Sequence, residues 1–95
     1  MIPASTGPIA TEIRARLRAA LAPVMLDLID QSEQHRGHAG HDSRGESHFA
    51  LTIESAAFAG KTRVARQRMV HAALGDLMVE RVHALTIRAT TPEPI

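Results

Sequence analysis

The sequence predicts an α+β domain. Two stretches with helical spacing, three with apolar–polar alternation and one short element between them follow one another as helix, strand, strand, short helix, long helix, strand. Ninety-five residues leave room for a single modest core. Helices laid on one face of a three-stranded sheet would bury every apolar stripe. A helical crossover before the last strand makes that strand parallel to one of the first two, with a right-handed connection.

Residues 1–7 are small and polar and read as a frayed N-terminus. Gly7-Pro8 marks a helix start, because proline in the first turn loses no needed amide. Ile9, Ile13, Leu17 and Leu21 then recur every four residues, with Arg14, Arg16 and Arg18 between them, and Pro23 ends the helix. Val24, Leu26 and Leu28 alternate with Met25 and Asp27, so Val24–Asp30 reads as a strand burying the Val24 phase. Residues 31–47 carry no periodic apolar residue and form a long loop, of a length that is often functional. Phe49, Leu51 and Ile53 set the second strand, which makes the loop the connection of a hairpin. Ala56–Ala59 is a short element anchored by Phe58 and closed by Gly60. Thr62–Val79 reads as one long helix, with Met69, Val70, Ala73, Leu74, Leu77 and Met78 on its apolar arc. Val82–Ala89 alternates again, with His83, Leu85 and Ile87 in one phase. The domain thus spans 8–90, and residues 91–95 form a loose tail.

Composition removes several function classes. The chain has no cysteine, so it brings no disulfide, thiolate or cysteine nucleophile of its own. Phe49 and Phe58 are its only aromatic residues, too few for a base-stacking platform. A net charge of +1 gives no global attraction to nucleic acid or anionic membrane. No apolar run reaches the length of a membrane span and no signal peptide is evident, so a cytoplasmic location is expected. No nucleophile motif, phosphate-cradling loop or cofactor fingerprint is present, and the chain reads as a non-enzyme.

Two clusters carry the remaining chemistry. Lys61, Arg63, Arg66 and Arg68 place four cations in eight residues with no acid between Ser55 and Gly75. They suit an anionic partner surface or nucleic acid. Residues 56–79 have the order of a helix-turn-helix, but Arg66 points toward the apolar arc as a structural residue would, so partner docking ranks above DNA. The other cluster is histidine: six in all, with His35, His38 and His41 at three-residue intervals in a glycine-containing loop. Imidazoles so spaced can converge on one divalent ion, which makes a histidine-loop metal binder a third reading.

The motifs Glu46-Ser47-His48-Phe49, Phe58-Ala59-Gly60-Lys61, Arg66-Gln67-Arg68-Met69-Val70 and Val82-His83-Ala84-Leu85-Thr86-Ile87 occur in that order. Together they resemble the BolA family over roughly residues 8–90. Two positions depart from its pattern: Gln67 stands where the family usually has His, and His71 where it usually has Tyr. The resemblance implies an α-β-β-α-α-β fold like a class II KH domain, with a three-stranded mixed sheet and helices on one face. It also implies pairing with a CGFS-type monothiol glutaredoxin and glutathione around a shared [2Fe–2S] cluster, in cluster trafficking, maturation or iron sensing. By the same resemblance His83 is a ligand and a second comes from the loop. His35 is the closest match, with His38 and His41 as alternatives. Two neutral imidazoles can replace thiolates on one iron, so a cysteine-free chain can supply half of such a site. Alone, the chain is expected to be a monomer or weak homodimer.

Overall fold

A computed structural model describes residues 7–31, 48–82 and 84–92. The elements are helix α1 (Pro8–Leu21), strand β1 (Met25–Asp30), strand β2 (His48–Glu54), a 3-10 turn (Ala56–Phe58), helices α2 (Arg63–Leu74) and α3 (Leu77–Glu80), and strand β3 (Ala84–Thr90). They build the α+β fold expected from the sequence, with a mixed sheet ordered β1-β2-β3. β1 runs antiparallel to β2, from Met25 opposite Glu54 to Asp30 opposite Phe49. β3, delivered by the helical crossover, runs parallel to β2 from His48 beside Ala84 to Glu54 beside Thr90.

Each element begins and ends for a local reason. Gly7 caps α1 in extended conformation with Pro8 behind it, and its carbonyl accepts the amide of Thr11 at 2.9 Å. The helix closes at Ala22, whose φ of 45° lies in the left-handed region immediately before Pro23. Thr62 starts α2 by accepting the Ala65 amide at 3.1 Å. Ser55 starts the 3-10 turn in the same way through the Ala57 amide. Its hydroxyl also donates to the Leu21 carbonyl at 2.6 Å, which explains how a serine is 1% exposed in the core.

One apolar cluster holds the layers together. Ile9, Ile13, Leu17 and Leu21 of α1 meet Leu28 of β1, Phe49, Leu51 and Ile53 of β2, and Val70 and Leu74 of α2. Phe58, Leu77 and Val82 close its margins, and Leu85, Ile87 and Ala89 of β3 pack against it half-buried. β2 shows the cleanest pattern, with every second residue buried, as a central strand covered on one face should.

Two sequence expectations are corrected. The long helix over Thr62–Val79 is two helices, because Gly75 has φ +56° and leaves the helical region. Leu77 nevertheless lands in the core after the break. Val24, expected on the buried phase of the first strand, is 66% exposed. It precedes the last ladder pair, Met25 with Glu54, and so lies past the margin of the core. The loop reading of 32–47 and the N-terminal and C-terminal segments 1–6 and 93–95 fall outside the described residues.

Candidate functional site

The strand register sorts the candidate residues into two places. At one end of the sheet, β1 finishes at Asp30, β2 begins at His48 and β3 begins at Ala84. The Gln31 amide donates to the His48 carbonyl at 2.6 Å, which closes the hairpin at this end. Residues 32–47, with His35, His38 and His41, join Gln31 to His48 in the chain, and residue 83 directly precedes Ala84. Both segments carrying the expected ligands are therefore tethered to the same sheet end. His35, His38, His41 and His83 themselves lie outside the described residues. His48 is half-buried at the mouth of the hairpin. Among the described residues, no group of three or more His, Cys, Asp or Glu side chains is placed to hold a metal ion.

The basic cluster lies elsewhere. Lys61, Arg63, Arg66, Gln67, Ile87, Arg88 and Ala89 line a surface concavity of about 610 Å³ between the start of α2 and β3. Arg66 is anchored there: its Nε donates to the Lys61 carbonyl at 3.0 Å and one terminal nitrogen to the Ala89 carbonyl at 3.1 Å. That matches the structural role its helical phase implies, since it ties the entry of α2 to the edge of the sheet. Lys61 and Arg63 are exposed and make no ion pair among the described residues. Arg68 is exposed but does not line the concavity.

Sequence reasoning missed Arg88 and Gln67. Arg88 sits on the exposed phase of β3, 25 positions after Arg63, and only the parallel crossover brings it to the same hollow. Its position in the alternation of β3 was a signal of exposure, not of proximity. Gln67 was visible only as a departure from the family motif. The other departure, His71, is exposed on α2. The first limb of the proposed helix-turn-helix is a single 3-10 turn with Phe58 fully buried.

A second distance separates the two places. Ala84 and Arg88 are about 13 Å apart along β3 at the usual rise of an extended strand. The β3 residues that line the concavity, Ile87, Arg88 and Ala89, lie toward the far end of the strand from Ala84.

Comparison with known proteins fixes the lineage. The family profile described as BolA-like protein matches residues 17–94. BolA-like protein 1 of Mus musculus is 40% identical over 89 residues, covering 94% of this chain, and the chain spans 62% of that protein's length. The DNA-binding transcriptional regulator BolA of Escherichia coli is 37% identical over 79 residues, covering 83% of this chain and 71% of the regulator. Among solved structures, the BolA domain of SufE1 from Arabidopsis thaliana superposes with a TM-score of 0.82 at 44% identity, covering 93% of this chain and 96% of that domain. Motifs, strand order and fold agree, and the chain belongs to the BolA family.

Proposed function

We propose that this protein is a non-enzymatic adaptor that pairs with a CGFS-type monothiol glutaredoxin to carry a shared [2Fe–2S] cluster for trafficking, maturation or iron sensing. The cluster is cargo held between two chains. In this reading His83 and one loop histidine, His35 with His38 and His41 as alternatives, supply imidazole nitrogen to one iron. The partner's cysteine and glutathione supply the thiolates that a cysteine-free chain lacks. A cytoplasmic location fits the absence, among the described residues, of any helix long and apolar enough to cross a membrane.

The observation that carries the reading is the shared sheet end. A ligand pair from residue 83 and a loop residue must converge within a few ångströms, and both segments start from neighbouring backbone positions beside Gln31, His48 and Ala84. Family membership adds the expectation of the partner. The test is anaerobic cluster reconstitution with a CGFS glutaredoxin and glutathione, followed by visible circular dichroism. A spectrum distinct from that of the glutaredoxin alone, with one-to-one complex formation, is expected, and His83→Ala should remove it. Persistence of the glutaredoxin-only spectrum in the presence of the wild-type chain would overturn the reading.

A second reading follows from the name of the Escherichia coli relative and from Lys61 and Arg63, which make no ion pair among the described residues: regulation through duplex DNA. It requires salt-sensitive binding that Arg68→Ala weakens. Three or four phosphate contacts would give a log–log salt slope of about −3 to −4.

A further inference from the structure

β3 is an edge strand, and its free edge borders the basic concavity. Two bonds fix which residues face outward. The Thr90 carbonyl accepts the Ser55 amide from the β2 side at 3.0 Å, whereas the Ala89 carbonyl accepts Arg66 on the other side. Alternation along an extended strand then turns the backbone N–H and C=O groups of Leu85 and Ile87 away from β2, like those of Ala89. Arg66 occupies the Ala89 carbonyl, and among the described residues the stretch at Leu85 and Ile87 is open.

An open edge is a template for another strand, and side-chain charge decides which strand it accepts. Lys61, Arg63, Arg66 and Arg88 line the hollow beside this edge, with Ile87 and Ala89 as its apolar floor. Among the described residues, no acidic side chain lines it. A second copy of β3 would bring like charges together, which disfavours self-pairing. An acidic strand would meet cations from α2 and from β3. Nucleic acid would find phosphate partners but no Phe, Tyr or Trp to stack on, since Phe49 and Phe58 are 1% and 0% exposed and the chain has no Tyr or Trp.

We propose that the free edge of β3, between Leu85 and Ala89, binds an extended acidic peptide segment of a partner protein as a fourth strand, with Lys61, Arg63 and Arg88 meeting its carboxylates. The proposal does not rest on the cluster reading, and its selecting cation on the strand, Arg88, lies about 13 Å along β3 from Ala84. Main-chain bonds to Leu85 and Ile87 supply register, and the cations supply selection.

The test uses the full chain without glutaredoxin and a fluorescein-labelled octapeptide of Glu and Val with four glutamates. Fluorescence anisotropy should show binding that is lost when lysine replaces glutamate. Arg88→Glu and Lys61→Glu should each weaken it by about tenfold, since each turns an attraction into a repulsion. Amide hydrogen exchange at Leu85 and Ile87 should slow in the wild-type complex, a readout that needs no variant. Ile87→Pro removes a donor from the free edge and none from the β2 ladder, so a folded variant should bind weakly. Failure of the acidic peptide to bind would overturn the proposal. So would binding that leaves exchange at Leu85 and Ile87 unchanged, which would be charge attraction alone. Tighter binding of a twelve-nucleotide oligothymidylate at the same salt would assign the hollow to nucleic acid instead.

Discussion

Arg16 satisfies three acceptors with one guanidinium. Its Nε bonds Glu12 at 2.9 Å within α1, and one terminal nitrogen reaches the Leu74 carbonyl at 2.7 Å and the Asp76 carboxylate at 2.8 Å. The carbonyl at the end of α2 has no partner within its helix, so a side chain from α1 closes it. Hydrogen bonding to Arg16, reinforced by its charge, holds the Asp76 carboxyl below the usual carboxylate range. A carboxyl depressed in the folded state stabilises the fold above its ordinary pKa, and that stabilisation is lost as pH falls through the lowered value. Both side chains are substantially exposed, so the contribution is small and screened by salt. An NMR titration of Asp76 should therefore show a midpoint below the usual range. Arg16→Gln should move it up toward that range, and a midpoint unmoved by the substitution would mean that the contact does not persist in solution.

The same junction decides a question at the level of elements. Gly75 stands where α2 must stop, at φ +56° and ψ −127°, a conformation that an L side chain adopts only under strain. A Cβ there would meet nothing closer than Arg16 at 3.7 Å, so the penalty of Gly75→Ala is conformational, about 1–3 kcal/mol. The opposite substitution at the end of α1, Ala22→Gly, relieves a left-handed alanine and should stabilise by up to about 1 kcal/mol. Urea unfolding of both variants should show midpoints shifted in opposite directions at unchanged slope. A Gly75→Ala variant as stable as wild type would mean that α2 and α3 can run on as one helix. This is also why the break was illegible in the sequence: Leu74, Leu77 and Met78 keep helical phase across Gly75, and periodicity alone sees one helix. α1 was legible because its spacing and both boundaries agree, Gly7-Pro8 at one end and Pro23 at the other. The strands were legible because each buries one phase. The hollow was not, since Arg88 reaches it through a pairing far apart in sequence; spacing flagged His35, His38 and His41 as metal-ligand candidates, while the cluster roles of His83 and His35 came from family motifs.

At the scale of the whole molecule, one strand connects two places with different chemistry. β3 starts beside the sheet end where residues 32–47 join β1 to β2 in the chain, and it ends beside the basic hollow. The backbone span of about 13 Å between Ala84 and Arg88 exceeds the range over which substitutions usually couple without shared partners. If the cluster end and the β3 edge serve separate contacts, Arg88→Glu should leave the visible circular dichroism of the glutaredoxin complex intact. His83→Ala should in turn leave intact the preference for the glutamate peptide over the lysine peptide that Arg88 confers. The double variant should show both losses, each at its single-variant size. The alternative is a partner surface wide enough to cover both ends, which the positions along the strand also allow. Arg88→Glu would then weaken the cluster complex, and that loss should shrink as salt screens the contact. Measuring the complex at low and high salt in wild type and Arg88→Glu therefore separates two contacts from one. A salt-independent spectrum in both proteins means that the basic hollow takes no part in holding the glutaredoxin, and leaves it open to another chain.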